Sequence, residues 1–190
     1  NTSMIAKVAE VVGTVGVVRD GSFIQLSTGD AIYLGDVINT QTNSRVKLNF
    51  LSVDGNAVTS GNAEIADMTR VLVTGQMVTT DSGKYLLANF RVDTGSLNVG
   101  NLPAAEVRVQ VQTPAGEMTV PQTGLNVVVQ PNNGPTSVRL PSGEQASVPV
   151  VFPNGQSAQL SVGSAAVVIN SPQTEAAATN AQAAGAAGQT

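Results

Sequence analysis

The chain has no Cys, no His and no Trp, only two Tyr and four Phe, and nine basic residues in 190. Each absence removes something. Without Cys there are no disulfides and no thiolate metal sites, and cysteine usage says nothing of redox compartment. With His also missing, the commonest general base, the commonest nucleophile-activating pair and the commonest transition-metal ligands are gone, so an enzyme is not expected. The basic residues are scattered and the formal net charge is −4. Phosphate binding needs several Lys or Arg on one face, so nucleic acid is not an expected partner. No apolar run reaches the roughly 18 residues of a membrane-spanning helix, so no transmembrane segment is expected. Charged residues are 12% of the chain, about half the usual share, which leaves Asn, Gln, Ser and Thr to cover the surface.

What is present favours strands. Hydrophobic residues make up 42% and aromatics 3%, so the core is built from Val, Ala, Leu and Ile, side chains that suit a pleated sheet. Strict alternation marks Arg45–Leu51 and Glu106–Gln112, each with small apolar residues on one face and polar ones on the other. Between the alternating stretches lie turn pairs: Asp20-Gly21, Gly29-Asp30, Gly35-Asp36, Asp54-Gly55 and Asn132-Asn133-Gly134-Pro135. Gly, Asp and Asn tolerate positive φ, so these read as corners joining successive strands. Met4–Val18 reads as two strand segments broken near Gly13 and Gly16, Ser22–Ser27 as a returning strand, and Lys84–Asp93 as a strand closing at Thr94-Gly95. The expected fold is all-β, a stacked β-sandwich or short β-solenoid, with a low-complexity Ala-rich C-terminal tail. The expected divisions are residues 1–102, a first β region; 103–170, a second β region continuous with it; and the tail 171–190.

One short repeat stands out. PSGEQASV at Pro141–Val148 and PNGQSAQL at Pro153–Leu160 share a frame at a spacing of twelve residues, the length of a strand plus a turn. A duplicated β-arch accounts for it.

From Gly13 onward the order of landmarks resembles the FecR-like domain family. The matching residues are Gly13-x-Val15-x-Val17, Gly29-Asp30, Gly35-Asp36-Val37-Ile38-x-Thr40, Ser44, Val46-x-Leu48-x-Phe50, Asp54-Gly55, and later Val107-x-Val109-x-Val111-x-Thr113-Pro114. A Gly-Thr step usual in the family is replaced here by Pro121-Gln122-Thr123-Gly124. The resemblance implies an exported, extracytoplasmic β domain. Regulatory members of the family also carry a membrane helix and a cytoplasmic segment, which this sequence does not contain. A start at Asn1 rather than Met agrees with trimming after export.

Candidate sites are few. Asp30, Asp36 and Asp54 beside their glycines could supply oxygen ligands to Ca²⁺, but their spacing matches no calcium loop, and Gly29, Asp30, Gly35, Asp36, Asp54 and Gly55 read as structural turns. No cofactor and no metal is expected. Glu64 with Asp67, and Glu106 with Glu117, could be offered as acid–base pairs for glycan hydrolysis, yet no Trp platform accompanies them. Strand pairing with a second copy has more support: apolar, β-prone stretches, little charge to repel copies and a small-residue tail. The expected contacts are Ile5, Val8, Val11, Val15 and Val17 in the N-terminal strands, Tyr85 and Phe90, and Val167 and Ile169 near the end. The expected function is thus a non-enzymatic exported structural subunit of an extracellular or envelope assembly, a homo-oligomer or polymer, with an envelope protein as a further partner. The alternative is a periplasmic sensing or regulatory module that binds a partner through Asn39–Ser44 and Asn132–Pro135.

Overall fold

Alternating apolar residues give each segment one face to bury, and sixteen strands bury theirs against one another in a computed structural model that describes residues 3–169 apart from 56, 133, 142 and 143. Asn170 and the Ala-rich tail 171–190 lie outside the described residues. Two sheets face each other across a single core, and the described strands are not closed into a barrel.

The first sheet takes β1 (Met4–Val12), β4 (Ala31–Tyr33), β6 (Arg45–Leu51) and β7 (Val58–Ile65). They run in the order β4-β1-β6-β7, all antiparallel. The second takes β2 (Val15–Arg19), β3 (Ser22–Gln25), β5 (Val37–Thr40) and β8 (Arg70–Thr80), in the order β3-β2-β5-β8, also antiparallel. The chain therefore crosses between layers repeatedly. At the first crossing Gly13 takes φ +75, and a Cβ there would overlap the Ser44 hydroxyl that accepts the Thr14 N–H at 2.9 Å.

The two layers meet in β9 (Gly83–Gly100). Its first half pairs with β8 and its second half with β7. A turn at Thr94-Gly95 is the expectation from sequence. The chain instead runs straight through as one 18-residue strand that bends from the second sheet into the first at Gly95, φ +107. A left-handed backbone at one residue, open to Gly without a Cβ penalty, bends a strand without ending it. At the bend Thr69 Oγ1 accepts the Ser96 N–H at 2.9 Å, holding the corner.

The later strands extend both sheets from β9. In the second sheet β10 (Val107–Thr113) runs parallel to β9, followed by β11 (Gly116–Thr119), β14 (Ala146–Val151) and β15 (Ser157–Val162). In the first sheet β12 (Leu125–Val129) pairs with β9, then β13 (Thr136–Arg139), then β16 (Val167–Ile169). The division at residue 102 falls in the loop after β9, and strands from both sides of it pair with β9 and fill one core. Phe50 from the first sheet and Phe90 from the second meet edge to face, ring centres 5.9 Å apart.

The two copies of the short repeat end up as neighbours. Strands β14 and β15 form a hairpin in one sheet, Ala146 opposite Val162 and Val151 opposite Ser157. The turn of the second copy thus closes a hairpin within one sheet rather than an arch, while Ser142 and Gly143 in the turn of the first copy lie outside the described residues.

Candidate functional site

The paired Gly-Asp turns occupy positive-φ corners, with Gly29 at +92, Gly35 at +94 and Gly55 at +74. Their acidic residues bond to nearby backbone and side-chain groups. Asp30 accepts the Ser27 N–H at 2.8 Å, and Asp54 is hydrogen-bonded to the Ser52 hydroxyl. Asp36 is 1% exposed. It receives Nε and Nη2 of Arg19 at 2.8 and 2.7 Å and the Tyr33 N–H at 2.9 Å. A buried carboxylate of this kind needs its partners, and a forked guanidinium plus an amide supplies them. The Arg19 guanidinium also donates to the Ala31 carbonyl at 3.1 Å and lies 4.5 Å from the centre of the Tyr33 ring. The hydrogen bond to Asp36, more than counteracting desolvation, holds the Arg19 pKa above its ordinary value.

This pair does something particular to β4. Asp30 O accepts from Val8 N–H, and Leu34 N–H donates to Ser3 O, so alternate residues of β4 face β1. Alternation turns Ala31 and Tyr33 the other way. The groups taken by Arg19 and Asp36 are the Ala31 carbonyl and the Tyr33 N–H, on the outer side of β4. The ion pair therefore covers an edge that would otherwise be open to a further strand.

Other edges are bare. Among the described residues β3 pairs only with β2, β15 only with β14 and β16 only with β13. None of the three contains a charged residue or a proline, the usual devices that blunt an edge. Every residue of β3 is exposed. Phe23, 61% exposed, lies against Gly16 on the outer face of the sheet, where a Cβ would meet its ring.

One opening lies between the layers. Past Val73 the β8–β9 hairpin extends beyond β5, and its Met77, Thr79 and Lys84 face Ser52, Val53, Asp54 and Ala57 across a cleft of about 660 Å³, with Glu106 at its rim. Its walls are mixed, and Met77 is 44% exposed. Among the described residues no three acidic side chains converge as metal ligands. Glu64 and Asp67 share one shallow depression, whereas Glu106 and Glu117 line separate ones.

The expected contact residues are mostly core. Ile5, Val8, Val15, Val17, Phe90 and Ile169 are buried, while Val11, Tyr85 and Val167 are partly so. Both N-terminal strands are interior: β1 sits between β4 and β6, and β2 between β3 and β5. Strand β9, carrying Tyr85 and Phe90, is paired on both sides. The buried ones face the core, because the same alternation that made them apolar turns them inward, whereas Tyr85 lies on the outer face with the Arg108 guanidinium 4.0 Å from its ring centre. Val167 and Ile169 do lie on an edge strand. The loop at Asn39–Ser44 is tied down, with Thr40 and Ser44 buried. Missed from sequence were Arg19 as the partner of Asp36 and Ser22–Gln25 as an edge. The one available signal was a short uncharged strand held between two tight turns.

Compared with protein-family models, curated proteins and solved structures, the chain matches none of them.

Proposed function

We propose that this protein is a non-enzymatic structural subunit that associates with copies of itself in an extracellular or cell-envelope assembly. The observation that supports the reading is the second sheet, which among the described residues ends at each side in a short, uncharged strand paired on one side only, β3 at one and β15 at the other. Open main-chain donors and acceptors bind another strand with little demand on side chains, and 12% charged residues leave little repulsion between copies. An exported domain of the FecR-like kind is the setting in which a surface of Asn, Gln, Ser and Thr is at home. Light scattering and negative-stain microscopy of the full chain at rising concentration test it, with a form lacking residues 171–190 beside it. Growth into oligomers or fibres is the expected result; a monodisperse monomer throughout would refute it.

A second reading is a periplasmic sensing or regulatory module of FecR type. The cleft between Met77 and the residues Ser52, Val53, Asp54 and Ala57 favours it, since a partner's apolar side chain could enter between the layers. A protein that stays monomeric would favour this reading over the first.

A further inference from the structure

Strand polarity restricts how two copies join. Taking β9 as pointing up, antiparallel pairing makes β8 down, β5 up, β2 down and β3 up. On the other side the parallel pair makes β10 up, and successive antiparallel pairs make β11 down, β14 up and β15 down. The two terminal strands of this sheet thus run in opposite directions. A second copy stacked in the same orientation sets its β3 antiparallel to the β15 of the first.

We infer that copies of this chain join head to tail through β3 of one and β15 of the next, a heterologous contact that continues the second sheet from molecule to molecule. The inference rests on the self-association reading above. The first sheet also ends in opposed directions, β4 up and β16 down, but Arg19 and Asp36 occupy the outer side of β4. Among the described residues that leaves β3 as the open terminal strand at this end, beside the part of β8 past Val73 that pairs only with β9.

Side-chain parity narrows the register. Ile24 pairs with buried Val17 and Leu160 with buried Val148, so both point to the core side. Phe23 and Gln25 lie on the outer face, as do Gln159 and Ser161, which are exposed. Continuing a layer requires inner residues opposite inner residues. Ile24 opposite Leu160 satisfies this, with Phe23 opposite Ser161 and Gln25 opposite Gln159. Because a heterologous contact repeats on every copy, it builds a filament, or a ring where the rotation from copy to copy closes.

The absence of native Cys makes the test clean. Full-length single variants Phe23→Cys, Gln25→Cys, Gln159→Cys, Ser161→Cys and Ala158→Cys are checked for folding by far-UV circular dichroism, then oxidised alone and in mixtures and run on non-reducing gels. Opposed strand positions bring Cβ atoms within disulfide reach. The expected result is a heterotypic product from Phe23→Cys with Ser161→Cys, and from Gln25→Cys with Gln159→Cys, at least tenfold above the homotypic products. Phe23→Cys with Ala158→Cys, which has the wrong parity, stays uncross-linked. Homotypic products equal to the heterotypic ones would indicate a two-fold dimer and overturn the inference. So would assembly seen by light scattering without heterotypic product, although the self-association reading then stands. No assembly at all overturns both.

Discussion

Replacing Asp36 with Ala strikes the point where the most polar partners converge. The change removes the acceptor for two guanidinium bonds and for the Tyr33 N–H. A buried amide left without a partner costs about 1–3 kcal/mol. The Arg19 side chain is 27% exposed, so it turns toward water and recovers much of its share of the roughly 1.5–3 kcal/mol that a charge-assisted bond contributes. The expected loss is about 3 kcal/mol in all, below the upper end for breaking a fully buried pair. In a domain of this size that corresponds to a fall in Tm of roughly 6–12 °C. Arg19→Ala should cost about as much, because it strands a buried carboxylate. The double variant should lose clearly less than the sum, with a coupling of about 1–2 kcal/mol. With no Trp in the chain, urea unfolding followed by far-UV circular dichroism is the suitable assay. A loss below about 1 kcal/mol for Asp36→Ala, or strict additivity in the cycle, would refute the reasoning that these partners act as one unit.

Three further outcomes are open to the same assay. Gly95→Ala should destabilise more than Gly35→Val: both sit at positive φ, but a Cβ at 95 overlaps Thr69 whereas nothing lies near one at 35. We expect about 1–2 kcal/mol for Gly35→Val and about 3 kcal/mol or more for Gly95→Ala, and a reversed order would count against Gly95 as the bend between layers. Phe50→Ala empties the contact with Phe90 at the centre of the core and should cost about 3–5 kcal/mol; a loss under about 2 kcal/mol would mean that the layers collapse to fill the space. Ser44→Ala removes the acceptor of the Thr14 N–H beside the first crossing and should cost about 1–2 kcal/mol, with hydrogen exchange of that amide rising in step; an unchanged exchange rate would refute the role.

Much of the local structure could be read along the chain because its causes are local. Alternation over Arg45–Leu51 and Glu106–Gln112 places Val46, Leu48, Phe50, Val107, Val109 and Val111 in the core, since side chains on a strand point alternately to opposite faces. The corners at Gly29, Gly35 and Gly55 were legible for the same reason, a backbone conformation that few other residues tolerate. Thr94-Gly95 was read as a turn because a positive-φ glycine ends some strands and only bends others. The neighbours decide which: β7 and β12 pair with β9 beyond Gly95, so the strand continues.

The amino-acid sequence by itself therefore determined that the chain is all-β, which face of the alternating strands is buried and where the corners at Gly29, Gly35 and Gly55 fall. Only the tertiary structure decided which strands are edges. Strands offer much the same main-chain donors and acceptors, so partner choice depends on residues far apart in the chain, and among the described residues apolar Met4–Val12 became interior while Ser22–Gln25 was left with a partner on one side only. It also decided that Asp36 meets Arg19, seventeen residues away, beside the β2–β5 pairing of one sheet, and that the pair reaches β4 of the other, where burial turns an ordinary turn residue into the cap on one sheet edge.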